Sequence, residues 1–323
     1  DRKAPLVRRR RKLMATWFEV AIAGADAQLA EQVAERGLDE VARLEGLLSE
    51  WQPGSQISAI NASAGGPPVK VAPEVMEVLS AGLEVSRWSE GAYDLSWAAL
   101  RGLYRFQPGQ RRIPDMAEVQ AALRRVGHAG IELDTKAGTA RLSTPGMAIG
   151  TGGIAKGYAL DRVGAILRAE GIDNYMLFAG GQVQVHGLRE GRPWRVGIRH
   201  PRVGTRYVGF FELSNGSVST SGDYEHFFMA DGKRWHHIID LKTGLPARRS
   251  ISVTLVAEKG VHADALSTAC FVLGPDRCQA MLAKQERRAD VALIAPDFSV
   301  HVNAGSDARL RFTPPLLGGK IAP

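Results

Sequence analysis

Gly146 to Asp161, GMAIGTGGIAKGYALD, is the stretch whose residue types most clearly suit chemistry. It carries Gly150, Gly152, Gly153 and Gly157 together with Lys156, then runs into a helical pattern. A glycine-rich turn leaves backbone N–H and C=O groups uncovered. A helix beginning there adds free N–H groups and the positive end of its dipole, a setting that suits phosphate. Lys156 adds a point charge. A tight turn with a surface lysine is the plain alternative.

Other stretches carry oxygen and nitrogen ligands. In the helix His262 to Leu273, HADALSTACFVL, Asp264 and Thr268 are four apart and Ser267 lies beside them. One face thus holds a carboxylate and two hydroxyls, an oxygen-only set suited to a hard cation such as Mg²⁺. A short polar residue near a helix start also serves as ordinary capping. Trp235 to Pro246, WHHIIDLKTGLP, has adjacent histidines that face opposite ways on a strand, which is wrong for zinc but leaves one free to face a cleft. Its Asp240-Thr243-Gly244 portion reads as a hairpin turn. Ser219 to Tyr224, STSGDY, can line a phosphate or cap a strand, and Gly91 to Asp94, GAYD, sets an aromatic beside an acid. Gly150, Gly152 and Ala155 also fit a loose dinucleotide fingerprint. The preceding strand would be broken by Pro145, however, and the next strand ends in Ala179-Gly180-Gly181-Gln182 without an acid.

These groups need elements to position them. Periodicity predicts a strand over Met14 to Ala23 and helices over Ala25 to Glu50, Val71 to Trp88, Met116 to Gly127, Ala155 to Glu170 and Val261 to Leu273, with a weaker one over Met281 to Gln285. Trp51 to Gly66 reads as polar and turn-rich. From Tyr175 onward, strand and hairpin patterns dominate. No linker or repeat divides the chain, so the prediction is α+β in one compact two-lobed domain.

The chain has 323 residues and a net charge of +7, of which +6 falls in residues 1–12. The body is nearly neutral, which argues against nucleic acid. Residues 1–13 are expected to be a basic arm, solvated or close to a membrane surface through residues 2–12, and residues 305–323 a loosely held tail. The start at Asp1 is expected to reflect processing. No run is long and apolar enough to span a membrane. Cys270 and Cys278 match no zinc spacing. Cys270 is expected to be a buried small hydrophobe, and two cysteines leave the redox compartment open.

The order of the motifs is more specific than any one of them. Reading MAT-x-F, W-x-P-x-S-x-I-S-x-I-N, GAYD, GGIAKGYALD, AGGQ, PWRVGI, STSGDYE, HHIID-x-K-TG-x-P and ADALSTA, the chain resembles the FAD:protein FMN transferases, the ApbE-like flavin transferases, from Met14 to about Leu273. The resemblance implies a T-fold-like α+β domain over residues 14–304. It also implies Mg²⁺-dependent transfer of FMN from FAD to a Thr or Ser hydroxyl of a target protein, with release of AMP. FAD contacts are implied at Met14, Trp51, Ala92, Tyr93, Asp94, Lys156 and Ile238, and metal ligands at Gly153, Asp264, Ser267 and Thr268. His237 is expected to orient phosphate or accept the hydroxyl proton. The implied partner is a protein with a NosR-, NqrC- or RnfG-like FMN-binding domain, and the implied location is the periplasm. The sequence departs from the family at Ala15, Gly150, Gln182 and Leu241. Gly150 stands where many members have Asp, which suggests a subgroup, such as one serving nitrous oxide reduction, and leaves open a non-catalytic FAD-binding module.

Overall fold

The computed structural model describes residues 6–285, 289–303 and 309–312, and the backbone of 321–322. A nine-stranded sheet forms the frame. Its spatial order is Leu6–Leu13, Thr16–Ala23, Tyr175–Ala179, Gln182–His186, Asn215–Gly222, Ser252–Ala257, Asp290–Ile294, Val300–Asn303 and Ile321–Ala322. Neighbours pair antiparallel except for the last pair. Seven α-helices are formed among the described residues: α1 (Ala27–Leu48), α2 (Gln56–Ala62), α3 (Pro73–Trp88), α4 (Met116–Leu123), α5 (Ala155–Ala169), α6 (Gly260–Leu273) and α7 (Pro275–Ala283).

Alternation decides which core each strand feeds. Phe18, Val20, Ile22, Tyr175, Leu177, Val253 and Leu255 point to one face and pack with α1, α5 and α6. Val185, Val218, Val256, Ala292 and Ile294 point to the other. They meet Trp194, Val196, Phe211 and Leu213 of a small sheet built from Trp194–Arg199, Tyr207–Leu213 and Arg309–Phe312. Helix α1 presents Ala30, Val33, Leu38, Val41, Leu44 and Leu48 at helical spacing, and the Asp26 carboxylate caps its start by accepting from the Leu29 N–H at 2.9 Å. A third sheet, Val69–Lys70 with Thr139–Leu142 and Ile131–Asp134, lies beside α2.

Four expectations are corrected. Residues 6–13 are a strand and not an arm, hydrogen-bonded to Thr16–Ala23 along its whole length. The basic side chains find acids: Arg9 pairs with Glu31, Arg11 with Glu35 and Asp39, and Arg8 with Glu19, while Arg10 covers the Trp17 ring. Cys270 is not an inert thiol. It is joined to Cys278 in a disulfide that ties the end of α6 to α7, with both residues fully buried. The Trp51 to Gly66 stretch contains α2, capped by the Ser55 hydroxyl, which accepts from the Ser58 N–H at 3.0 Å. Within residues 305–323, Arg309–Phe312 is a strand on Tyr207–Leu213, and Ile321–Ala322 closes the main sheet. The remaining residues of that segment lie outside the described ones.

Closing an eight-residue loop by a disulfide removes denatured-state entropy worth about 2–3 kcal/mol. Cys270→Ala is therefore expected to lower the denaturation free energy by that amount. Unreduced protein unfolded in denaturant should offer no thiol to a labelling reagent. Two labelled thiols would show that the bond is absent.

Candidate active site

The glycine turn and α6 are separated by more than a hundred residues in the chain and meet at one point. A Cβ on Gly157 would stand 2.0 Å from the Gly260 carbonyl oxygen, and one on Gly260 would stand 2.4 Å from the Gly157 oxygen. Only glycine at both positions lets the starts of α5 and α6 touch this closely. The contact is reinforced on both sides. The Gly157 N–H donates to Asp264 Oδ2 at 3.2 Å. The Asp161 carboxylate, one turn further along α5, accepts from the Gly260 and Val261 N–H groups at 2.7 and 2.9 Å and so caps α6 from outside.

Asp264, Ser267 and Thr268 gather at this junction. Asp264 is buried, and its Oδ1 accepts from Gln182 Nε2 at 2.8 Å. Burial pushes its pKa up, while Lys156 and the Gly157 N–H pull it down. The Ser267 hydroxyl lies 2.9 Å from both Ser219 Oγ and Ser221 Oγ, and Ser221 lies 3.3 Å from Thr268 Oγ1. The STSGDY stretch is thus partly strand, and two of its hydroxyls join the cluster. Gly153 faces it: a Cβ there would lie 3.6 Å from Thr268 Oγ1 and 3.4 Å from the Tyr93 ring. Among the described residues no backbone N–H bonds to the Gly153 carbonyl, because the Gly157 N–H that a helix would send there goes to Asp264. A free carbonyl, a buried carboxylate and hydroxyls make an all-oxygen set that fits a hard divalent cation. The buried Tyr93 hydroxyl has no partner and is a further polar group available to a ligand. Burial raises its pKa, helped by Asp264, Asp94 and Glu50, so it is a donor at neutral pH.

The remaining expected residues are placed as follows. Lys156 bends back so that its Nζ donates to the Gly152 carbonyl at 2.8 Å. His237 and Lys156 are close enough to influence each other electrostatically. The exposed His237 ring packs edge-on against His226, 5.2 Å between centroids, and the His237 backbone N–H donates to the His226 carbonyl at 3.1 Å. Crowding by protein lowers its pKa to about 3, with His226, His236 and Lys156 adding repulsion. Water reaching the exposed ring moderates that shift, and the imidazole is neutral at physiological pH. His236 points the other way, as alternation requires, and is buried against Phe271 with Nε2 2.8 Å from the Ala247 carbonyl. Ile238 and Ala92 are buried.

Three further expected contact residues have these surroundings. Asp94 has both oxygens engaged, Oδ1 by Ser96 and Oδ2 by the His128 N–H and Nδ1, so it organises the loop around Tyr93. Trp51 is 70% exposed beneath the Arg101 guanidinium, which stands 4.8 Å above its ring. Met14 and Ala15 form the two-residue turn between the first two strands at φ 47° and 59°, a conformation that favours glycine. The dinucleotide alternative fails on topology, since no strand leads into the glycine turn and the strands on either side of α5 do not pair in parallel.

Reading residue by residue overlooked Glu50, Trp97 and Asn61. Trp97 packs on Gly150, where an added Cβ would come within 2.5 Å of the indole, and its Nε1 donates to the Gly150 carbonyl at 3.1 Å. Asn61 grips both the N–H and the C=O of Ile149. Glu50 is buried, and its carboxylate accepts from the Thr151 N–H. The Glu-Trp pair and the terminal Asn of W-x-P-x-S-x-I-S-x-I-N were visible signals, but nothing local tied them to a turn about ninety to one hundred residues away.

An α+β fold with a helix-borne oxygen cluster set against a glycine turn defines the class. Residues 14–293 match the ApbE family. The chain is 34% identical over 283 residues to the FAD:protein FMN transferase of Treponema pallidum strain Nichols, covering 82% of this chain and 77% of that protein. It is 32% identical over 286 residues to one from Klebsiella pneumoniae strain 342, covering 88% of each. Among solved structures it resembles the ApbE protein of Thermotoga maritima, with a TM-score of 0.83 at 30% identity over 92% of this chain and 96% of that one. It also resembles the flavin transferase ApbE of Vibrio cholerae, with a TM-score of 0.79 at 27% identity over 97% and 100%. The chain belongs to the ApbE family, and the single α+β domain expected from sequence is the fold it adopts.

Gly157→Ala is expected to part α5 from α6 because the obstacle is backbone. It should cost about 1–3 kcal/mol of stability in denaturant titration, with loss of activity. A variant of unchanged stability and activity would contradict the close contact. His236 supplies a second test. Burial lowers its pKa from 6.5 to about 4, so the unfolded chain binds the extra proton between these values. Its contribution is therefore complete above pH 6.5 and is lost as pH falls toward 4, on the order of 2–3 kcal/mol. His236→Gln should flatten that acid limb relative to the unsubstituted protein.

Proposed function

We propose that this chain is an FAD:protein FMN transferase, which moves FMN from FAD to a Thr or Ser hydroxyl of an acceptor protein and releases AMP. The observation that carries this reading is the convergence of Gly153, Asp264, Ser267 and Thr268 beside Lys156 at the start of a helix. Its relatives' names support the same reading. Gly153, Asp264, Ser267 and Thr268 are the residues that would hold Mg²⁺. An ion held by them would supply charge neutralisation of the pyrophosphate.

The acceptor oxygen attacks the FMN phosphorus, the bond from that phosphorus to the bridging oxygen breaks, and AMP leaves with the bridging oxygen. The hydroxyl proton passes to a base. His237, neutral and exposed beside Lys156, is the side chain assigned to receive it or to orient the phosphate. Lys156 sets a positive charge at the turn. Tyr93 offers a buried O–H to the bound nucleotide. The enzyme's part is chiefly positioning and charge compensation. The acceptor is proposed to be an FMN-binding domain of the NosR, NqrC or RnfG type. The buried Cys270–Cys278 disulfide supports action in an oxidising compartment such as the periplasm.

Incubation with FAD, Mg²⁺ and such a domain should give a covalently fluorescent acceptor and one AMP per label. Asp264→Ala should reduce transfer by about 100-fold or more while weakening FAD binding far less. Intact FAD and an unlabelled acceptor that a known transferase does label would sink the transferase reading and leave a flavin-binding module. Undiminished Mg²⁺-dependent turnover in Asp264→Ala would refute the metal assignment.

A further inference from the structure

The glycine turn is gripped residue by residue. Asn61 holds Ile149 at both of its backbone groups, with Nδ2 to the carbonyl at 2.9 Å and Oδ1 from the N–H at 2.6 Å. Trp97 holds the Gly150 carbonyl and fills the space beside its Cα. Thr151 Oγ1 donates to the Leu48 carbonyl at 2.7 Å, at the end of α1. Lys156 holds the Gly152 carbonyl. The Gly153 carbonyl is the group this series leaves for a ligand.

Within this clamp Glu50 is unusual. A carboxylate buried to 6% exposure is costly to keep. The nearby Arg101 guanidinium bonds the Glu50 backbone carbonyl at 2.7 Å and not the carboxylate. The carboxylate is directed instead at the turn, where it accepts from the Thr151 N–H, with the Thr151 hydroxyl 3.5 Å away. Thr151 stands two residues before Gly153. Since Trp97 leaves no room for a side chain at Gly150, the acceptor for this N–H comes from another element, the residue two past the end of α1.

We propose that Glu50 is a positioning residue for the cation site: by accepting the Thr151 N–H it holds the turn so that the Gly153 carbonyl stays available beside Thr268 and Asp264. This rests on the cation reading above. The role requires an acceptor oxygen at the right reach and does not require its charge.

Mn²⁺ binding to the full chain in the presence of FAD, followed by electron paramagnetic resonance, tests it without relying on turnover. Glu50→Ala is expected to weaken Mn²⁺ affinity by about tenfold or more. Glu50→Gln keeps an acceptor at the same reach and should remain within about threefold of the unsubstituted protein by the same reasoning. Glu50→Asp keeps the charge but draws the oxygens back by one methylene, so it should follow Ala. It also stands in if the Ala variant does not fold. Asp264→Ala serves as the control. If Asp264→Ala loses Mn²⁺ and the Ala and Asp variants of Glu50 do not, the inference about Glu50 is overturned alone. A Gln variant as impaired as Ala, with both folded, would overturn it too, by showing that charge is what counts. If neither the Asp264 nor the Glu50 variants alter Mn²⁺ binding, the cation reading falls and takes this inference with it.

Discussion

The site depends on a contact between two backbones. Gly157 and Gly260 let the first turns of α5 and α6 approach until each carbonyl occupies the space a side chain would need on the other. Nothing weaker would bring the glycine turn to Asp264, since the helices arrive from different parts of the chain. Burial of α5 and α6 against the sheet supplies the driving force. The glycines set how far it can go, and the Asp161 cap and the Gly157 to Asp264 bond fix the register. A small steric term decides the geometry because it is a hard limit, whereas hydrophobic burial is non-directional.

The same contact explains how a carbonyl becomes available. In an ordinary helix start the N–H of residue 157 would satisfy the carbonyl of residue 153. Here that donor goes to Asp264, so one displacement orients the carboxylate and frees the carbonyl. The neighbouring groups of the turn are held by Asn61, Trp97, Glu50 and Lys156. The result is a turn held at most of its groups, with the Gly153 carbonyl left unpaired among the described residues. The cost lies in Asp264 and Glu50, two buried carboxylates that burial disfavours in their charged forms. A bound cation would offset the first.

Local pattern made much of this legible. Helical spacing gave α1, α3, α5 and α6, and put Asp264 and Thr268 on one face. Strand alternation separated His236 from His237. What local pattern hid was partnership. Arg8 to Lys12 reads as a solvated run until the acidic stripe Glu31, Glu35 and Asp39 of α1 is set beside it, and then it reads as an edge strand whose Arg9 and Arg11 are paired. The disulfide could not be deduced from two cysteines whose helices had not yet been placed. The GAYD stretch showed an acid beside an aromatic but not the acid's partners, Ser96 and His128, the latter more than thirty residues away. Glu50 looked like the end of a charged helix. Its role exists only in three dimensions, at a turn whose own position 150 is closed by an indole.

In the proposed site the glycine turn and α6 hold one divalent cation jointly. Crystals grown with FAD and Mn²⁺, with data collected for anomalous scattering, would locate it. A single strong peak is expected in contact with the Gly153 carbonyl oxygen and the Asp264 carboxylate, next to the Thr268 hydroxyl. A peak bound elsewhere, or ordered FAD beside the glycine turn with no peak between these two elements, would refute the shared site.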